Sequence, residues 1–127
     1  MDKGILSDGE WKIMKLLWSK APRTIGEMVL ALEEETSWSR TTVFVMLKRL
    51  IAKKAVRMDD QGQLQQYYPL LKRKEVEQAE TDSFLSRVYD GSVGWMVSSL
   101  VGRRALTEKE IGELRSILEE AQTKGKE

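Results

Sequence analysis

Apolar residues recur at helical spacing in two segments near the start of the chain. The first segment follows Ser7 and Glu10, which are spaced as a capping box, and it ends before Pro22. The second segment follows another capping-box pair, Thr24 and Glu27. The first helix would bury the apolar positions Trp11, Met14, Leu17 and Trp18. The pattern therefore predicts two short amphipathic helices.

A third helical pattern begins at Ser39 and is followed by a change of period. Its inward-facing positions are expected to be Val43, Leu47, Leu50 and Ile51. Residues 55–58 and 64–68 then form strand-like runs on either side of a polar loop that contains Gly62. These runs predict a β-hairpin, which Pro69 closes. Three helices followed by a hairpin is the order of a winged helix-turn-helix.

From residue 72 onward the pattern is again helical. Asp90 and Gly91 supply a stop, and a third capping box at Thr107 and Glu110 opens a last helix. Short helices with apolar faces are hard to stabilise alone, so we expect two copies of this tail to share a core. The expected dimer contacts are Phe84, Val88, Trp95, Met96, Leu100, Ile111, Leu114 and Leu118.

The basic residues are concentrated in one stretch, although the net charge is only +1. Every charged residue between Thr36 and Met58 is basic. Phosphate binding depends on local charge, because each contact releases counterions from the nucleic acid. The third helix is therefore predicted to bind double-stranded DNA. The expected DNA contacts are Arg40, Thr41, Thr42, Phe44, Val45, Lys48, Arg49, Lys53, Lys54 and Arg57.

Alternatives remain open for the outward side of this helix. Phe44 and Val45 would contact thymine methyl groups in the major groove, or one of them would pack against the hairpin or the second helix. Lys53 and Lys54 would bind phosphate, or would only compensate the helix dipole. A different function is also open, because a winged-helix adaptor would dock a protein partner through the same apolar residues.

The composition excludes most catalytic chemistry. The chain has no histidine and no cysteine, so the common general base, the thiol nucleophile and the usual zinc ligands are missing. The acidic run at residues 33–35 is typical of a solvated helix face. We expect no enzymatic activity, no cofactor and no metal site. Apolar runs are short and no export signal opens the chain, so a cytoplasmic protein without membrane insertion is expected.

The predicted fold is mainly α with a small β-hairpin. The chain has 127 residues, which is enough for one compact domain and an appendage. We expect an N-terminal winged helix-turn-helix at residues 1–70 as the DNA-binding domain. A C-terminal helical dimerisation domain is expected at residues 71–127.

Short segments along nearly the whole chain match a known family. The segments are Leu6, Ser7, Glu10, Trp11 and Trp18, then Trp38, Ser39, Thr42, Val43 and residues 47–50, then Gln66, Tyr67 and Tyr68, and finally residues 83–85, 88–91, 106–107, 110–111, 113–114 and 117–118. In this order and spacing they resemble the bacterial penicillinase-repressor family. That family includes the methicillin-resistance repressors and a copper-responsive branch.

The resemblance implies a homodimer that binds an inverted-repeat operator and represses a resistance or stress-response operon. In the β-lactam branch a membrane sensor protease triggers cleavage in the tail, between an asparagine and a phenylalanine. Ser99 and Leu100 stand at the matching positions here, so the chain departs from the family at this asparagine–phenylalanine pair. The copper branch has a cysteine-rich tail that this chain lacks, so copper sensing is not expected.

Two segments depart from the family in the region expected to contact DNA. Arg40 and Thr41 replace the family's Pro-Lys. Ala-Lys-Lys at residues 52–54 replaces the Lys-Lys-Gly turn that follows the recognition helix. The operator sequence of a relative therefore should not be transferred to this chain.

Overall fold

A computed structural model describes residues 6–103 and 106–125 of the chain. These residues form mostly helices, with one two-stranded antiparallel sheet. The elements in chain order are α1 (Asp8–Ser19), α2 (Ile25–Ala31), α3 (Glu33–Thr36), α4 (Arg40–Ala52), β1 (Val56–Asp59), β2 (Gln66–Pro69), α5 (Arg73–Tyr89), α6 (Val93–Arg103) and α7 (Glu108–Gly125). The predicted fold class, mainly α with a winged helix-turn-helix order, is confirmed.

The predicted helix starts are also confirmed, because the capping residues form the expected hydrogen bonds. Three pairs make complete capping boxes: Ser7 with Glu10, Thr24 with Glu27, and Thr107 with Glu110. Ser39 caps α4, since its hydroxyl oxygen accepts the amide of Thr42 at 3.2 Å. Each cap satisfies amides that the first turn of a helix leaves unpaired, which is worth about 1 kcal/mol.

The short helix α3 was not predicted. It contains the acidic run at residues 33–35, and all three side chains are exposed, as a solvated face requires. Lys12 of α1 donates from its ammonium to the carboxylate of Glu35. This exposed ion pair joins α1 to α3.

The core lies where α1, α2, α4 and the hairpin meet. Its buried side chains are Ile13, Met14, Leu17, Met28, Leu32, Val43, Leu47, Leu50, Ala55, Val56 and Tyr67. Each large apolar side chain buried in this way contributes about 1.5–3 kcal/mol. The indole N–H of Trp18 donates to the carbonyl oxygen of Leu71 at 2.8 Å, which attaches the segment before α5 to α1.

The hairpin is anchored to the connection between α1 and α2. Strands β1 and β2 pair with Met58 opposite Tyr67 and Asp59 opposite Gln66. The amide of Tyr67 also donates to the carbonyl of Arg23 at 2.8 Å, and the amide of Arg23 donates back at 3.2 Å. The bridge between Arg23 and Tyr67 holds the hairpin against the helices. Strand β1 begins one residue later than predicted, and β2 begins two residues later.

The chain divides into two compact units, Met1–Ser83 and Phe84–Glu127. The first contains the winged helix and α5 as far as Ser83, and Val76 in this part of α5 is fully buried. The second contains the end of α5 with α6 and α7. The division therefore falls inside α5. The boundary after residue 70 between a DNA-binding and a dimerisation domain stays a prediction.

Candidate nucleic-acid interface

Helix α4 buries one face and leaves the opposite face open. Val43, Leu47 and Leu50 are fully buried, and at about 100° per residue they define the side that faces the core. Val45 lies on the opposite side of the helix. The expectation that Ile51 faces inward is wrong, because this residue is 39% exposed. It lies at the C-terminal end of α4, beside the last helical residue, Ala52, which is exposed as well.

The first turn of α4 carries an arginine and two threonines in different surroundings. Arg40 and Thr41 are exposed. A Cβ on Gly26 would stand 3.2 Å from Nη1 of Arg40, so the guanidinium lies against the first turn of α2. Thr42 is half-buried, and its hydroxyl oxygen lies 3.1 Å from that of Ser39. Thr41 therefore presents an outward hydroxyl, whereas the hydroxyl of Thr42 takes part in the cap.

Two apolar side chains project from the middle of α4 into solvent. Phe44 is 42% exposed and Val45 is 41% exposed, so neighbouring elements leave a large part of each side chain uncovered. The ammonium of Lys48 lies 5.6 Å from the centroid of the Phe44 ring, a distance typical of a cation–π contact. Lys48 and Arg49 are themselves exposed. The open face of α4 thus combines two cations with two apolar groups.

Helix α4 ends in a Schellman motif with a lysine where glycine is usual. The amide of Lys54 donates to the carbonyl of Ile51 at 2.9 Å, and the amide of Ala55 donates to that of Leu50 at 2.8 Å. Lys54 has φ +62°, in the left-handed region that a side chain makes unfavourable. The motif turns the chain into β1 and leaves the Lys54 side chain exposed.

Lys53 was also expected to contact DNA; in the structure its ammonium pairs with a buried carboxylate, while its side chain is 32% exposed. Its Nζ donates to Oε1 of Glu10 at 2.5 Å, and the Glu10 side chain is only 2% exposed. The same carboxylate oxygen accepts the amide of Ser7 at 2.8 Å. The ion pair therefore joins the start of α1 to the end of α4.

The carboxyl group of Glu10 is ionised although it is buried. Burial raises the pKa of Glu10, but the hydrogen bonds from Lys53 and Ser7, with the positive charge of Lys53, outweigh that effect. The pKa of Glu10 is lowered from its ordinary value as a result. At neutral pH a full negative charge is thus held beneath the end of α4.

The hairpin presents one predicted contact and an open loop. The guanidinium of Arg57 lies 4.0 Å from the ring centroid of Tyr68, its cross-strand neighbour. The carboxylate of Asp59 accepts the amide of Gln61 at 2.9 Å and so closes the turn at the tip. Leu64 is exposed on the same loop. The contact with the Tyr68 ring orients the guanidinium of Arg57, which is exposed at the protein surface.

A cleft of about 350 Å³ opens between the hairpin loop and the first turns of α2 and α4. Its lining residues are Thr24, Ile25, Gly26, Arg40, Gln63, Leu64 and Gln65. None of them carries a carboxylate. Among the described residues no group of acidic side chains is arranged to hold a metal ion. This region offers hydrogen bonds and positive charge to a ligand rather than acid–base groups.

Comparison with known proteins places this arrangement in a family. The model of the penicillinase repressor family matches residues 6–120. The chain belongs to the penicillinase repressor family. It is 33% identical over 122 residues to the penicillinase repressor of Bacillus licheniformis, covering 96% of this chain and 95% of that protein.

The chain is also similar to another member of the penicillinase repressor family and to one solved structure. The methicillin resistance regulatory protein MecI of Staphylococcus aureus is 26% identical over 113 residues, covering 89% of this chain and 92% of MecI. The solution structure of the DNA-binding domain of the repressor BlaI matches with a TM-score of 0.51 and 29% identity. That match covers 57% of this chain and 88% of the BlaI domain.

The second compact unit of this penicillinase repressor family member exposes most of the predicted dimer contacts. No described side chain of α6 or α7 is buried. The exposed residues are Phe84, Val88, Trp95, Leu100, Ile111, Leu114 and Leu118, whereas Met96 is half-buried. The ring of Tyr89 packs edge-on against the rings of Phe84, at 5.7 Å, and Trp95, at 5.2 Å. These contacts order the aromatic rings but leave apolar surface uncovered.

The position suggested for cleavage lies within α6. Ser99 is half-buried and Leu100 is exposed, and both are in regular helix.

Within the described residues, no helix has the length and apolar character needed to cross a membrane.

Proposed function

We propose that this protein binds an inverted-repeat operator as a homodimer and thereby represses a resistance or stress-response operon in the cytoplasm. The coarser function, DNA-binding transcriptional repression, is that of the family to which the chain belongs. The matched BlaI structure is itself the DNA-binding domain of a repressor, and the match covers 57% of this chain.

The observation that carries the proposal is the charge of the open face of α4. This helix contains no acidic residue, and its exposed side opposite the core carries Lys48 and Arg49. Lys54 follows at the end of the helix, and its left-handed backbone holds a cation where glycine would be less strained. Such a face binds phosphate, while the first turn of a recognition helix meets the base edges.

The homodimer is supported by the apolar surface of the second compact unit. In α6 and α7 many large apolar side chains are exposed within one protomer. Soluble proteins rarely leave such surfaces uncovered, and a second copy of the same chain covers them with a symmetric interface. A symmetric dimer would require an inverted-repeat operator, because each copy would bind one half-site.

A sensor protease is the proposed partner that ends repression, by cleavage between Ser99 and Leu100. This assignment rests on the family, and the helical position adds a requirement: α6 must unwind locally before a protease can bind its backbone in extended form. Mass spectrometry of the protein from induced cells should then detect fragments that end at Ser99. An intact chain during induction would exclude this route.

The central experiment measures binding to duplexes from the gene's own upstream region by fluorescence anisotropy at about 50–200 mM salt. Lys48→Ala and Arg49→Ala should each weaken binding and reduce the slope of log K against log salt by about 0.9 per half-site. Lys109→Ala, which removes an exposed lysine of α7, is the matched control and should change neither quantity.

Two results would count against the proposal. An unchanged salt slope in both variants would show that neither Lys48 nor Arg49 of α4 contacts phosphate. Failure to bind any upstream duplex at low ionic strength would leave the adaptor function, in which the exposed Phe44 and Val45 contact a protein.

A further inference from the structure

We infer that Phe44 and Val45 recognise the 5-methyl groups of thymines in the major groove of each half-site. This inference rests on the proposed function and adds a specificity to it. The two residues would select half-sites that place thymine at defined positions.

Val45 occupies the centre of the open face of α4. It follows Val43 by two residues and precedes Leu47 by two, so at about 100° per residue it points directly away from these two buried side chains. Thr41 lies one turn before it and Arg49 one turn after it, and both are exposed. Any ligand that contacts this face from Thr41 to Arg49 must therefore contact Val45.

Phe44 lies beside Val45, and its ring is held by a cation. The ammonium of Lys48 sits 5.6 Å from the ring centroid, while the residue remains 42% exposed. A cation–π contact restrains the ring without covering its edge. The ring edge and the positive charge are consequently presented to the same ligand.

The surroundings of these apolar groups favour DNA as the occupant. Lys48 and Arg49 flank them, and α4 has no carboxylate that would repel phosphate. A polyanion that also offers apolar groups fits this face. In the major groove the apolar group on the base edges is the C5-methyl of thymine, which distinguishes T·A from the other pairs. Each methyl removed from water against Val45 or Phe44 would increase affinity by about fourfold.

The test compares thymine with deoxyuracil, which keeps the base pair and lacks only the methyl group. The probe is the upstream duplex protected by the protein in a footprint, remade with deoxyuracil in place of one thymine at a time. For the unmodified protein, at least one replacement per half-site should lower affinity by about fourfold.

The protein variants assign this effect to the two side chains. Val45→Ala and Phe44→Ala should each weaken binding to the thymine duplex. Each variant should lose methyl discrimination at the thymine that its side chain contacts and keep it at the other. Both side chains are exposed, so circular dichroism should confirm an unchanged fold. Ile51→Ala is the matched control: it removes a similarly exposed apolar side chain near the end of α4 and should keep full methyl discrimination.

The outcomes separate this inference from the proposed function. Equal affinity of the unmodified protein for thymine and deoxyuracil duplexes would overturn methyl recognition while leaving operator binding intact. Full discrimination in both Val45→Ala and Phe44→Ala would also overturn it. Absence of binding to every duplex at low ionic strength would refute the proposed function itself.

Discussion

Among single residues, Glu10 and Lys53 join the start of α1 to the end of α4 through an ion pair. Glu10 is almost fully buried, and its partner lies 43 positions later in the chain. A buried carboxylate that loses its partner is strongly destabilising, because the charge is left without compensation. Lys53 therefore stabilises the fold at the point where α1 meets the end of α4. Its positive charge is paired with the carboxylate of Glu10.

We expect Lys53→Met to lower the free energy of unfolding by about 1–3 kcal/mol, because Glu10 loses its partner at a partly exposed site. The salt slope of operator binding should not change. Lys54→Met is the matched control: it removes an exposed neighbouring charge, and it should reduce the slope by about 0.9 per half-site while changing stability by less than about 0.5 kcal/mol. Urea unfolding and anisotropy at several salt concentrations measure both quantities.

The dependence on pH provides a second readout for the same variant. The folded-state pKa of Glu10 is lowered, so the stabilisation is complete above the ordinary glutamate pKa of about 4.3 and is lost as the pH falls through the lowered value. The stability advantage of the unmodified protein over Lys53→Met should shrink between about pH 5 and pH 3. A constant difference over this range, or a reduced salt slope at unchanged stability, would contradict the assignment of Lys53.

Among the helices and strands, the residue at which a helix begins was easier to predict than the contacts between elements that are far apart in the chain. A capping box is local, so Ser7 with Glu10 already indicated where α1 begins. The bridge between Arg23 and Tyr67 joins segments far apart in the chain, and nothing in either segment alone signals it. The ion pair of Lys53 was missed for the same reason, because its partner Glu10 lies 43 positions earlier in the chain. Taken alone, the basic cluster that contains Lys53 indicates phosphate binding.

The end of α4 gives a prediction of its own. Lys54 occupies the left-handed position of a Schellman motif at φ +62°, where glycine has no steric penalty. Lys54→Gly should therefore stabilise the fold by about 0.5–1 kcal/mol, although it removes a proposed phosphate contact. Ala52→Gly, at the last residue of α4, is the control and should destabilise by up to about 1 kcal/mol. Urea unfolding of both variants measures the sign; destabilisation by Lys54→Gly would show that its side chain has an overriding stabilising contact.

In the molecule as a whole, the two compact units have different proposed tasks. The winged helix would contact one half-site, and the tail would hold two copies together. Joining them makes the second half-site contact intramolecular, so the effective concentration raises affinity without any new protein–DNA contact. The sequence indicated the apolar tail residues, but a single chain cannot show which of them meet across a symmetry axis.

Leu114→Glu tests this coupling, because the residue is exposed in the protomer and would place a charge inside the proposed dimer interface. Sedimentation should show a shift to monomer, and affinity for the full operator should fall by about a hundredfold. Affinity for a single half-site duplex should not change, since α4 is untouched. Ser116→Glu adds the same charge on the polar side of α7, beside Glu119 and Glu120, and should remain dimeric. If Leu114→Glu also remained dimeric with undiminished operator affinity, α7 would not form the interface.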